Sequence, residues 1–297
     1  MALATREIKR RIKSIGNTKQ ITKAMELVSA TKMRRATGAA LATRPYATLS
    51  RETVMRLVER LEYANPLLTA PEKVETIGVL VISSNRSLCG AYNHDIVDAV
   101  KEFSATQKKQ GRTVRLYTVG SKGRDELRKG RLDVAADFEK LDVVTSIADT
   151  RVIARALRDD FESNKVQQVY VAYTDFVSAL RQTARLQQVL PLRFETFDHD
   201  ESKAKKEKLP EYEYILEPEA KTLLDYILPR LFESQVHQAL LESNASEHAA
   251  RMLAMKNASE AAADLIDDLN FTFNQARQAS ITQEIAEISA SKIALAA

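Results

Sequence analysis

The chain of 297 residues is poor in the two residues that most often interrupt helices: it has eight glycines, all between Gly16 and Gly130, and seven prolines, the last of them Pro229. Glycine therefore makes up about 2.7% of the chain, where roughly 7% is usual. Residues 230–297 run for 68 positions with neither breaker, so they are free to form one helix on the order of 100 Å long, which a compact domain of this size cannot enclose. Cysteine is nearly absent as well. A lone Cys89 excludes an internal disulfide, and four scattered histidines offer no zinc spacing, so an intracellular, metal-free chain is expected. The longest strongly apolar run, Val79 to Ile82 with its neighbours, falls far short of the ~18 residues of a membrane span. The first residues, MALATREIKRRIK, lack an apolar signal core, and Glu7 with the pattern that follows favours a mature helix over a targeting segment.

What is present is charge, unevenly placed. Residues 1–60 carry 14 Lys/Arg against 4 Asp/Glu, a net +10, and residues 212–297 carry 6 against 13, a net −7. The stretch between is nearly neutral. A basic end and an acidic end suggest two elements lying side by side with complementary fields.

Residues 1–60 read as a long helix. Ile8, Ile12, Ile15, Ile21, Met25 and Val28 step mostly by three and four, with a gap that Thr18 or Lys19 would fill. After Met33 the stripe turns small, with Ala36, Ala39, Ala40 and Ala42, which lets another helix approach closely. Gly16 weakens the helix, Pro45 is expected to bend it, and Asn65-Pro66 and Pro71 end it.

Residues 74–200 change character. Ile77 to Ile82, Thr113 to Val119 and Val166 to Tyr173 are rich in β-branched residues and read as buried strands, and Thr183 to Phe197 adds a fourth. Helical stretches, about 91–110, 123–129 and 144–163, alternate with them, which predicts a Rossmann-like α/β domain with a mainly parallel sheet. The heavily charged segment from Asp198 to Lys208 reads as a solvated linker.

Residues 212–297 return to helix, with Leu223, Ile227, Leu231, Val236, Leu240, Leu253, Leu265, Leu269, Ile281, Ile285 and Ile288 at helical spacing. Pro229 is expected to kink or split it near its start. Two long helices leaving one intervening domain should run antiparallel. The second is longer by roughly twenty residues, so the part from Gln278 onward, with Ile281, Ile285 and Ile288 on one face, has no partner left in its own chain and should sit inside another protein.

Catalytic chemistry is hard to find. Gly120-Ser121-Lys122-Gly123 follows a strand and opens a helix, yet it matches neither the GxGxxG nor the GxxxxGK[ST] spacing of phosphate loops. Cys89 with nearby His94 offers a thiol and a base, against the plainer reading of a small buried thiol. Asp159-Asp160 and Asp267-Asp268 read as solvated helix faces. The cations Arg10, Arg11, Lys13, Lys19, Lys23, Lys32, Arg34 and Arg35 form a footprint that could face nucleic acid, although no aromatic stacking residue precedes Tyr46. A coiled-coil nucleic-acid binder and a nucleotide-using enzyme remain as alternatives.

Several motifs together resemble one family. The stretch from Ile8 to Arg35, IKRRIKSIGNTKQITKAMELVSATKMRR, is similar to the N-terminal signature of the gamma subunit of F-type ATP synthases, and RQASITQEIAEI, from Arg277 to Ile288, to its C-terminal signature. Ser84 to Gly90, Gly120 to Gly123, Glu233 to Gln235 and Ala245 to Met252 match family patterns in order. The chain departs from the pattern at Ser87, where glycine is usual, and at Ser291 and Lys292, where a Gly-Ala pair is usual. The two-cysteine insertion of chloroplast relatives is absent.

The resemblance implies a non-catalytic rotor subunit without a cofactor, in single copy: the central stalk of a rotary motor. Its antiparallel coiled coil of N- and C-terminal helices would enter the ring of alpha and beta subunits. Its α/β domain would contact the epsilon subunit and the c-ring, whose proton- or sodium-driven rotation serves ATP synthesis. It also implies a peripheral position on the cytoplasmic face of the bacterial inner membrane and no nucleic-acid partner. By motif position, Arg277, Gln278 and Thr282 would hydrogen-bond loops of alpha and beta, while Ile281, Ile285 and Ile288 bear on an apolar sleeve. Met25, Lys23, Lys32, Arg34 and Arg35 would face an acidic lever loop of beta, or the cations would pair internally with the acidic helix. Glu217 would lie near the polar loops of the c-ring.

Overall fold

The computed structural model describes residues 2–60, 65–69, 71–142, 146–192 and 219–296. In chain order the elements are α1 (Ala2–Arg60), β1 (Thr76–Ile82), α2 (Tyr92–Lys109), β2 (Thr113–Val119), α3 (Ser121–Lys129), β3 (Val134–Phe138), α4 (Ala148–Glu162), β4 (Gln168–Phe176), β5 (Gln182–Leu190) and α5 (Ala220–Ala296). They divide into two compact units, one of residues 1–30 with 251–297 and the other of residues 31–250. Each long helix contributes to both.

The larger unit is built on a five-stranded sheet in the order β3-β2-β1-β4-β5, parallel except for β5, which runs antiparallel to β4. Strand β1 sits in the middle and is buried on both faces, as an unbroken apolar run requires. Its alternate residues part accordingly. Ile77, Val79 and Val81 pack with Ile96, Val97 and Val100 of α2 and Leu127 of α3. Leu80 and Ile82 face Ile153 and Leu157 of α4, Val54 and Leu57 of α1, and Leu224, Leu228 and Phe232 of α5. The terminal helices thus form one of the layers that cover the sheet. Strand β3 was not among the expected elements, because Val134-Ala135-Ala136-Asp137-Phe138 carries only two strongly β-forming side chains. The stretch from Arg193 to Phe197, read above as part of a strand, and the charged segment that follows lie outside the described residues.

Within this unit α1 and α5 are antiparallel. Ala40 packs on Leu241, Thr43 Oγ1 donates to Gln238 Oε1 at 2.6 Å, and Asn65 Nδ2 donates to Asp225 Oδ1 at 3.0 Å, so numbers rise along one helix as they fall along the other. Neither proline ends its helix: α1 runs through Pro45 and α5 through Pro229. Pro229 cannot donate to the carbonyl four residues back, but Leu228 and Leu231 on either side are in the core and hold the helix in place.

In the smaller unit the terminal helices pack together along a seam that differs from the expected stripe. Ile21 and Val28 are 61% and 56% exposed, and the buried positions are Thr22 and Ser29, with Met255, Ser259 and Ala262 of α5. Both hydroxyls are satisfied within their own helix: Thr22 Oγ1 donates to Lys19 O at 3.1 Å, and Ser29 Oγ to Met25 O at 2.7 Å. Small side chains let two backbones approach, so they win the inner face over larger aliphatics. Leu265, also expected inside, is 52% exposed.

One buried histidine makes the larger unit pH-sensitive. His237 of α5 lies within hydrogen-bond distance of Thr150 Oγ1 at 3.3 Å, and burial holds its pKa below the ordinary histidine value, against a weaker opposing pull from Asp149. As pH falls below about 6.5, the unfolded chain takes up this proton before the folded one does. Stability is therefore complete above that value and declines on acidification through the depressed folded pKa. Denaturant unfolding between pH 7 and pH 5 should show a shallower decline for His237→Gln than for the parent; equal slopes would assign the acid sensitivity elsewhere.

Candidate functional site

The turns at the carboxyl ends of β1 and β2 are where a parallel sheet most often holds a ligand. Here they close on each other. Gly120 has φ of +100°, and a Cβ on it would come within 2.4 Å of Ser83 O, so only glycine fits. That approach places Ser83 Oγ to accept from the N–H of Gly123 at 2.9 Å and to donate to Gly120 O at 2.9 Å. The N–H of Lys122 goes to Ser84 O at 3.0 Å, and that of Ser121 to Asn85 Oδ1 at 3.4 Å. The first-turn donors of α3, which would cradle a phosphate, are committed to the neighbouring turn. The nucleotide reading of Gly120 to Gly123 fails on this geometry.

The thiol reading fails too. Cys89 is buried and accepts from Asn93 Nδ2 at 3.2 Å, while His94, on the exposed face of α2, pairs with Asp98 at 3.0 Å and faces Glu126 at 3.8 Å. Leu88, beside it, has φ of +64° and stays 57% exposed.

The residues singled out for contact fall into three groups. On the last turns of α5, Arg277, Gln278 and Thr282 are exposed, and every described residue from Ile281 to Ser291 is exposed on all sides. Ile281, Ile285 and Ile288 are 48%, 59% and 68% exposed, and steps of four and three place them on one face. On α1, Arg34 and Arg35 are exposed and Met25 is half-buried in the seam. Lys23 pairs with Glu26 of its own helix at 3.0 Å, and Lys32 reaches Asp142, after β3, at 3.0 Å. The Lys32 ammonium holds the Asp142 carboxyl below its usual range, partly offset by burial. An α1 cation that does pair with the acidic helix is Arg44, whose Nε donates to Glu242 Oε1 at 3.3 Å. Glu217 lies outside the described residues.

A polar cluster that sequence reasoning missed lies inside the larger unit. Lys140 Nζ donates to Glu247 Oε2 at 2.5 Å and to the Tyr92 hydroxyl at 3.3 Å, and that hydroxyl is 2.6 Å from Ser243 Oγ. All four residues are buried. Burial opposes the charge on Lys140, but Glu247 and Tyr92 outweigh it and raise the ammonium's pKa; burial likewise raises that of the Tyr92 phenol. The one local signal was Glu247 and His248 set among Ala245, Ser246, Ala249 and Ala250, a charge in a run of small residues.

Among the described residues no helix is long and apolar enough to cross a membrane, and no group of acidic, cysteine or histidine side chains is arranged to hold a metal ion.

Comparison with known proteins places these features in a family setting. A family model described as "ATP synthase" matches residues 4–295. The chain is 39% identical over 295 residues to the ATP synthase gamma chain of Chloroflexus aurantiacus, covering 98% of this chain and 99% of that one. It is 36% identical over 287 residues to the ATP synthase gamma chain of Stenotrophomonas maltophilia, covering 95% and 96%. Among solved structures, a chain of the Tetrahymena thermophila mitochondrial ATP synthase central stalk and c-ring superposes with a TM-score of 0.62 at 26% identity, covering 80% of this chain and 99% of that chain. A chain of the Euglena gracilis mitochondrial ATP synthase shares the fold at a TM-score of 0.68 and 20% identity, covering 99% and 95%.

Proposed function

The chain belongs to the ATP synthase gamma-chain family, a non-catalytic central-stalk subunit of the rotor, and from that premise we propose that it couples ion-driven rotation of a membrane c-ring to the catalytic beta subunits. The observation that carries this reading is the end of α5. Three isoleucines on one face of an otherwise solvated helix are stable in water only at a cost, and burial in a partner gains roughly 1.5–3 kcal/mol for each side chain fully covered. A sleeve formed by alpha and beta subunits fits that requirement. Arg277 and Gln278, one turn nearer the rest of the chain, and Thr282, next to Ile281, are exposed and would hydrogen-bond its loops.

An asymmetric shaft in a ring of three equivalent sites favours a different conformation at each, which is a coupling free energy between the sites and the rotor angle. Lys23, Arg34 and Arg35, all exposed, would meet an acidic lever loop of beta, as would the half-buried Met25. Lys32 would share its charge with Asp142. Epsilon and the c-ring are the proposed contacts of the α/β domain, with Glu217 toward the c-ring. The subunit works in single copy as a peripheral part of a complex on the cytoplasmic face of a bacterial inner membrane. The nucleic-acid reading of the basic face is set aside because the chain belongs to the ATP synthase gamma-chain family.

The test is co-elution. Detergent-solubilised membranes should release this chain in one peak with alpha, beta, epsilon and c subunits. A complex that assembles and turns over at the normal coupled rate without the chain would end the proposal.

A further inference from the structure

We propose that Lys140, Glu247, Tyr92 and Ser243 form a torsional key that locks α5 against rotation about its own axis inside the α/β domain. The inference rests on the stalk reading above and adds the residues through which torque passes from domain to shaft.

Apolar packing between a helix and a sheet has no preferred direction of hydrogen bonding, so by itself it resists axial slippage weakly. Most of the packing around α5 is of this kind, from Leu224 to Leu240. Along that stretch Gln238 bonds α1 and His237 approaches Thr150 of α4, and between Glu242 and Glu247 such polar contacts become denser. Glu242 pairs with Arg44 of α1, Ser243 bonds Tyr92 at the start of α2, Ser246 Oγ donates to Thr174 O of β4 at 3.0 Å, and Glu247 pairs with Lys140 just after β3. Less than two turns of helix are therefore bonded to three elements and to the segment after β3. At 3.6 residues per turn, Glu242 and Ser246 share one face, and Ser243 and Glu247 share another about 100° away. Bonds leaving on two faces oppose rotation in both senses.

The surroundings sharpen the bonds. Every residue from Ala239 to Ala249 is buried, so water cannot replace a partner that moves away. Lys140 and Glu247 have side chains only 3% and 8% exposed, and a small axial turn would separate two charges in a dry interior. Lys140 is itself held from behind, its backbone carbonyl accepting from Asn85 Nδ2 at 2.8 Å. Its ammonium also stands over the Tyr92 ring, 5.4 Å from the centroid.

The experiment uses the whole complex in liposomes, with a probe on the α/β domain through Leu180→Cys, a position 77% exposed, while Cys89 is buried. Three variants are compared with the parent: Lys140→Met with Glu247→Met, which replaces the pair by apolar groups of similar size, Glu247→Gln, and Tyr92→Phe. With the catalytic ring fixed and the rotor stalled, the angular spread of the probe reads the stiffness of the joint. The expected result is a wider spread in the variants, with ions pumped per ATP hydrolysed reduced by about fivefold or more while ATP hydrolysis itself continues. If the double variant does not assemble, Glu247→Gln and Tyr92→Phe give the same reading alone. An unchanged spread and pumping ratio in assembled variants would overturn the key and leave the stalk reading intact, because the parent would still be turning. A parent complex that turns over without the probe rotating would instead remove the stalk reading itself.

Discussion

Ending the chain after Arg277 is expected to leave residues 31–250 folded and to lower coupled ATP synthesis by about tenfold, within the roughly 5- to 150-fold range of a typical coupling free energy. The first half of that expectation follows from burial. Among the described residues of α5 the last buried apolar side chain is Ala262, and none of the residues from Ile281 to Ser291 is shielded by its own chain. The second half follows from what the removed turns carry, which is Gln278, Thr282 and the Ile281, Ile285, Ile288 face. Ile281→Asp with Ile285→Asp should reproduce most of the loss without shortening the helix, since two carboxylates cannot enter an apolar sleeve without partners. Far-ultraviolet circular dichroism would check folding, and acid-driven ATP synthesis in reconstituted vesicles would check coupling. Coupled synthesis at the parent rate in both variants would mean that the apolar face serves no contact of the motor.

Phe232→Ala is expected to have the largest effect on stability, about 3–5 kcal/mol by denaturant unfolding of the chain. Phe232 is fully buried in α5, in the same cluster as Leu80 and Ile82 of β1, Leu157 of α4 and Leu57 of α1. Removing its ring opens a cavity where three layers meet, and no single element can move to fill it without leaving another. Ile285→Ala provides the contrast. It removes a side chain that is 59% exposed, so the isolated chain should change by no more than about 0.5 kcal/mol while the assembled complex weakens. Similar losses for the two variants in the isolated chain would place the α5 tip against a surface of its own molecule.

Much of this architecture was legible in advance, for identifiable reasons. The C-terminal helix was readable because breakers are missing from residues 230–297, and the N-terminal one because its aliphatics recur at three and four despite Gly16, Gly38 and Pro45. Strand β2 was readable to its ends because Thr113-Val114-Arg115-Leu116-Tyr117-Thr118-Val119 is dense in β-branched and aromatic side chains. The seam of the terminal helices was not readable from hydrophobicity. Thr22 and Ser29 win the inside because they are small and their hydroxyls are satisfied by their own helix, which a hydropathy stripe cannot register. The buried pair of Lys140 and Glu247 escaped for a different reason. Its members stand 107 positions apart, and each is marked only once tertiary structure brings the end of β3 to α5. Gly120 lay between these cases: its position after a strand suggested a ligand loop, whereas its glycine is required by the backbone of Ser83.

The outward placement of Ile21 and Val28, over a seam that includes Thr22, Ser29, Ser259 and Ala262, would bear on friction inside a protein sleeve. Turning against a protein wall costs most where each angle makes its own hydrogen bonds, since these must break before the next set can form. Aliphatic flanks meet a wall with contacts that are individually worth about 0.1–0.2 kcal/mol and nearly indifferent to angle. In the proposed role, the energy along a full turn would then be a shallow ripple in this stretch, and the steps of the motor would be left to the few polar side chains that interrupt it.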